Sequence, residues 1–246
     1  MMRAPLPTSR QRPRVALFAH TPRNREYGRR ALRLLGGVPL VFLNADEFLA
    51  MGDRTRELAM VLLEHSDEAA EANEPAGTLA DRIRREIGDD LPMLHSIPAA
   101  SGGSIPGFRN NDMLLPASLS FAQLCRTLKG FMQLHSLPAR DARLEWGAHR
   151  FCVESGTVFV DGVQVQMKPE EFDLALELFF NAGTRVSRPW LRAMVPAMQT
   201  LRRRPTGPAA DVAVLRVRDM LGLEPAYGWE LEVSPGLSCQ LTRLER

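Results

Sequence analysis

From Arg14 onward, short apolar runs alternate with segments whose apolar residues recur at helical spacing, the order that a parallel α/β sheet requires. Val15-Ala16-Leu17-Phe18-Ala19 predicts a first strand. A helix follows from about Pro22, with Tyr27, Ala31, Leu34 and Leu35 near its period and Gly36-Gly37 ending it. Val38 to Leu43 and Leu58 to Leu63 predict the second and third strands, with a short helix from Ala45 to Met51 between them. Thr78 is expected to cap a helix that reaches Ile87 and stops at Gly88. Pro92-Met93-Leu94-His95 and Met113-Leu114-Leu115 supply two more strands. A last helix is expected over about Ser120 to His135, with Leu124, Leu128, Phe131 and Met132 on one side. Residues 98–111, with Ser101-Gly102-Gly103-Ser104 and Pro106-Gly107, read as loop.

The periodicity changes after Leu137 to Arg143, a short polar linker with one proline. Leu144-Glu145-Trp146, Arg150 to Val153 and Val158 to Val160, with turns at Ser155-Gly156 and Asp161-Gly162, predict a small antiparallel sheet. Lys168-Pro169 opens a helix, with Glu170 and Glu171 at its positive end and Asn181-Ala182-Gly183 closing it. Ser187 caps a second helix, and Gly207-Pro208 starts a third. In the third, Ala210, Val214, Val217 and Leu221 form a core stripe. The expected organisation is a disordered tail (1–13), an α/β domain (14–136), a linker (137–143) and an α+β domain (144–246).

At 246 residues the chain has room for two cores, and 45% hydrophobic with 24% charged residues is a globular composition. No run approaches the roughly 18 apolar residues of a membrane span, and the N-terminus lacks the apolar middle of a signal peptide. Cys125, Cys152 and Cys239 form no paired motif. They read as buried thiols of a cytoplasmic protein, with no metal knuckle, disulfide framework or cofactor implied. No Gly-rich phosphate loop, Ser-His-Asp set or supported carboxylate pair is present, so no enzyme is expected. The net charge of +2 says little, but its distribution says more. Between Glu177 and Asp211 there is no acidic residue, while Arg185, Arg188, Arg192, Arg202, Arg203 and Arg204 fall inside.

Five segments, taken in order and spacing, resemble the winged helix-turn-helix domain of OmpR/PhoB response regulators: Val160-Asp161-Gly162-Val163, Lys168 to Phe172, Val186 to Leu191, Asp211 to Arg218 and Gly236 to Leu241. The resemblance implies that the third helix lies in the major groove of promoter DNA, presenting Ala209, Ala213 and Arg216. Arg216 matches a position that reaches a base edge, and Arg218 one that holds phosphate. Arg188, Arg192 and the Arg202–Arg204 loop would add backbone contacts that are sensitive to salt. In the family that loop also touches RNA polymerase, which implies a second reading, a module that docks on polymerase or a partner regulator. Departures are Pro208, Ala213 and Leu215 in the helix, and Pro235, Ser238, Cys239, Glu230 and Glu232 in the wing.

The first half resembles the flavodoxin-like receiver domain in order and length, without its chemistry. Phosphoryl transfer to an aspartate needs a divalent cation held by acidic oxygens. Ala19-His20-Thr21 stands where the acidic pair follows the first strand, Glu64 stands at the phosphoacceptor position, and Leu115 replaces the lysine before Pro116. A phosphorylation-independent pseudo-receiver is expected. Glu64 then reads as a strand-end carboxylate facing water or an arginine, or as a mimic of phosphoaspartate. The family's dimer face includes a helix where 98–111 reads as loop, so the apolar side of the 120–135 helix serves a homodimer or the domain's own core. With strand order 2-1-3-4-5, His20, His65 and His95 fall along one edge, a candidate metal or metabolite site of a sensing regulator.

Overall fold

The computed structural model describes residues 12–65, 76–98, 107–195, 209–235 and 237–244. The chain packs as two compact units, residues 1–119 with 123–141, and residues 120–122 with 142–246.

In the first unit β1 (Arg14–Phe18), β2 (Val38–Phe42), β3 (Leu58–Glu64), β4 (Met93–Ile97) and β5 (Met113–Pro116) form a parallel sheet in the order β2-β1-β3-β4-β5. This is the flavodoxin-like, receiver-like fold. Every residue of β3 is buried, as befits a central strand covered on both faces. On one face Phe18, Phe42 and Phe48 form a ring cluster with centroids 5.4–5.7 Å apart. Ile83 and Ala80 of α3 (Ala76–Ile87) and Ala45 of α2 (Ala45–Leu49) join that core. On the other face α1 (Pro22–Leu34) starts at an N-cap, Thr21, and lies close to the sheet at Gly28. A Cβ there would stand 3.0 Å from a Leu17 methyl.

Within α4 (Phe121–Leu134), Leu124, Leu128, Phe131 and Met132 are buried, so this side of the helix serves the interior and is not a free pairing face. Two further expectations change. Thr78 lies inside α3, whose helical hydrogen bonding begins at Ala76, so it is not the cap. β4 continues two residues beyond His95, which places His95 in mid-strand, fully buried. Most of the 98–111 loop, residues 99–106, lies outside the described residues.

The second unit opens with an antiparallel sheet, β6 (Arg143–Trp146), β7 (His149–Cys152), β8 (Thr157–Val160) and β9 (Val163–Val165), in that order. Asp161 and Gly162 both take positive φ (48° and 82°), the twist a two-residue hairpin turn demands. Then come α5 (Pro169–Phe180), β10 (Arg185–Ser187), α6 (Arg188–Met194), α7 (Ala209–Leu221), β11 (Trp229–Ser234) and β12 (Ser238–Arg243), with β10-β12-β11 as a second sheet. This is a winged helix-turn-helix with an N-terminal sheet. Phe179 of α5 sits at its centre, with ring centroids of Trp146, His149, Phe151 and Trp229 each 5.1 Å away. Strands β9 and β10 have no counterpart in the sequence pattern. Both are three residues long, too short to register as alternation.

Candidate nucleic-acid interface

The helix-turn-helix is fixed by buried polar groups as much as by its apolar stripe. Glu177 on α5 is buried and accepts from Trp190 Nε1 of α6 and from Asn181 Nδ2, each at 2.7 Å. Ser187 caps α6 by accepting from Trp190 N, as its place before Arg188-Pro189 suggests. Val214, Val217 and Leu221 seat α7 in the core, and His149 Nε2 lies 2.8 Å from the Leu221 carbonyl, satisfying one orphan acceptor at the helix end. The side chain of Ala210 and residues 207–208 lie outside the described residues.

The face α7 turns outward carries Val212, 55% exposed, then Arg216 one turn on, then Asp219. Ala213 is only half-exposed, so Val212, not Ala213, is the outward apolar residue, a shift the i, i+4 spacing from Arg216 makes readable in retrospect. Arg216 is 57% exposed, with its Nε 2.9 Å from Oε1 of Glu171 on α5. Arg218 pairs with the neighbouring Asp219 at 2.9 Å, which offsets part of its charge. Arg192 on α6 and Arg185 on β10 are exposed. Arg202, Arg203 and Arg204 lie outside the described residues.

Arg188 corrects the expectation of a phosphate contact. Its side chain is 2% exposed and is among the largest groups of the interior. As the first residue of α6 it donates its backbone N–H to Leu237 O at the wing turn, and its guanidinium points inward. A sequence-level charge map counts it with the surface arginines because charge alone carries no direction. In the wing, Glu230, Glu232, Pro235 and Leu237 are exposed, whereas Ser238 and Cys239 are buried.

In the first unit, Glu64 does not face water, and no arginine among the described residues pairs with it. It is buried at the end of β3 and accepts from His20 N (2.6 Å), Thr21 N (3.1 Å), Thr21 Oγ1 (3.0 Å) and Asn24 Nδ2 (2.6 Å). Both carboxylate oxygens are thus bound by the loop and first turn of α1, where the helix dipole favours negative charge. The amide and hydroxyl groups of that loop face Glu64 and supply no carboxylate that would hold a divalent cation beside it.

The histidines assemble differently from the expected edge cluster. His65 Nε2 lies 2.8 Å from His95 Nδ1, and His95 Nε2 lies 3.4 Å from Asp112 Oδ2. Arg84 holds both Asp112 oxygens at 2.6 Å. His20 is exposed and stands apart, and no group of three metal-ligating residues exists among the described residues. Burial, then the neighbouring His95, lowers the His65 pKa from 6.5 to about 4. Burial raises the Asp112 pKa, but hydrogen bonds from His95 and Arg84 outweigh it and hold the carboxyl below its usual range. These contacts fasten the end of β3, β4, the residue before β5 and α3 to one another.

No family model and no curated protein matches the chain. Among solved structures it is similar to the response regulator DrrB, an OmpR/PhoB homologue of Thermotoga maritima, at 16% identity and TM-score 0.36, over 94% of this chain and all of that one. It is also similar to the DNA-binding domain of Escherichia coli CpxR (22%, TM-score 0.35, 42% of this chain and 98% of that one). The Klebsiella pneumoniae RstA DNA-binding domain in complex with the RstA box matches at 19%, TM-score 0.33, over 41% of this chain and 96% of that one. Across its length the chain is thus similar to solved OmpR/PhoB response regulators, while its fold class rests on its own strand order: a receiver-like parallel sheet followed by a winged helix-turn-helix.

Proposed function

We propose that this protein is an atypical OmpR/PhoB-like response regulator that binds promoter DNA through α7 and regulates transcription without phosphorylation. The single observation that carries the reading is the outward face of α7. An exposed guanidinium and an exposed valine stand one turn apart on a helix whose opposite face is locked into the core. Arg paired to guanine and an apolar group against a thymine methyl are standard major-groove contacts. Arg192 and Arg185, with the Arg202–Arg204 segment, supply cations for phosphate.

Independence from phosphorylation is supported by Glu64, which is buried and engaged at both carboxylate oxygens by amide and hydroxyl donors of His20, Thr21 and Asn24. Operation as a dimer is part of the proposal, with Leu114 on edge strand β5 and Leu134 on α4 among the exposed apolar residues available for pairing. The test is binding of the full chain to duplex DNA, with Arg216→Ala expected to abolish site preference. Treatment with acetyl phosphate is expected to leave the mass unchanged.

A second reading, docking on RNA polymerase or a partner regulator with weak DNA contact, is favoured by the exposed Glu230 and Glu232 in the wing and by the Arg218–Asp219 pair. Polymerase capture that survives Arg216→Ala and fails when Arg202, Arg203 and Arg204 are replaced by alanine would favour it.

A further inference from the structure

Arg216 is the exposed base-reading candidate on α7, yet its Nε is already occupied. The partner, Glu171, belongs to the first turn of α5 and is buried. Its second oxygen, Oε2, accepts from Lys168 N at 2.9 Å, so the carboxylate is held at both ends. The helix carrying it is buried from Glu171 through Phe179. An exposed arginine normally samples many rotamers and loses that freedom when it binds. Here one edge of the guanidinium is pinned from behind. The other two nitrogens, Nη1 and Nη2, remain as a planar fork, the shape that fits the O6 and N7 acceptors of guanine. Arg218 makes an instructive contrast: its partner Asp219 is the next residue on the same helix and is itself exposed, so that pair orients nothing.

We propose that Glu171 is a positioning residue that aligns Arg216 to read one guanine, so that selectivity at that base pair depends on a carboxylate that never touches DNA. The inference rests on the reading that α7 contacts DNA. It differs from simple charge masking, in which Glu171 would hold Arg216 back and its removal would raise affinity for every sequence.

Glu171→Gln separates these. Glutamine keeps an acceptor for Lys168 N and so preserves the start of α5, while it removes the charged partner of Arg216. The full-length wild type, Glu171→Gln and Arg216→Ala are each taken through selection on a randomised duplex library, with affinity for a mixed-sequence duplex measured at the same salt. Melting curves establish that the variants are folded. The expected result is that Glu171→Gln binds mixed-sequence DNA within roughly twofold of wild type but loses about tenfold of its enrichment at a single G·C position, the one Arg216→Ala also loses. Unchanged enrichment at every position in Glu171→Gln, or a uniform rise in its affinity, overturns this inference alone. A wild type that binds no duplex overturns the DNA reading and this inference with it.

Discussion

Three arginines that look alike in the sequence do different work. Arg216 is exposed and pinned by Glu171, Arg218 shares its charge with Asp219, and Arg188 is interior. Arg216→Ala is therefore expected to cost roughly 1–3 kcal/mol at the preferred site and little elsewhere, read by competition between site and mixed-sequence duplex. Arg188→Ala should instead lower thermal stability by about 2–5 kcal/mol, as truncating a buried long side chain does, with the salt dependence of DNA binding intact. A melting temperature unchanged by that substitution would contradict its placement. His65 contributes to the pH dependence. Its folded pKa of about 4 lies below the unfolded 6.5, so the unfolded chain binds more protons between those values. Stability from this group is complete above about pH 6.5 and drains away as the pH falls toward 4. His65→Gln should flatten that part of the stability curve, and an unchanged curve would contradict the burial of the His65 ring.

Elements are more legible in the sequence than side chains. Each strand of the first sheet and each core-facing helix announces itself by period, because burial of a face imposes the pattern directly. The Asp161-Gly162 turn is equally readable, since two consecutive positive φ angles demand such residues. What periodicity does not encode is long-range polar pairing. Glu64 meets residues at least forty positions earlier, His95 meets Asp112 through a sheet register, and Glu171 meets Arg216 across two helices. The histidine cluster expected along the sheet edge fails for the same reason: extending β4 past His95 buries that ring and joins it to Asp112 and Arg84, leaving His20 outside. The Glu64 arrangement yields an element-scale prediction. Glu64→Ala strands the His20 and Thr21 amides, each worth about 1–3 kcal/mol if left unsatisfied, and should loosen the start of α1. Amide exchange at His20 to Asn24 is expected to accelerate while α7 is unaffected.

At the scale of the whole molecule the charge is nearly balanced, +2 over 246 residues, so the proposed binding to DNA rests on local placement of charge. The acid-free stretch between Glu177 and Asp211 concentrates it, with Arg185 and Arg192 exposed and Arg202, Arg203 and Arg204 in the segment leading to α7. Replacing the last three by alanine should weaken binding to all sequences and reduce the salt slope by roughly one for each phosphate no longer neutralised, without altering base preference. The first unit keeps the strand order of a receiver, and in the proposed function it works without a phosphoryl group. The most direct test of the account is a salt titration of the full-length chain on duplex DNA. Binding that is measurable in dilute buffer, weakens steadily as salt rises, and loses its sequence preference on Arg216→Ala is the predicted result. No binding to any duplex at the lowest salt would contradict it.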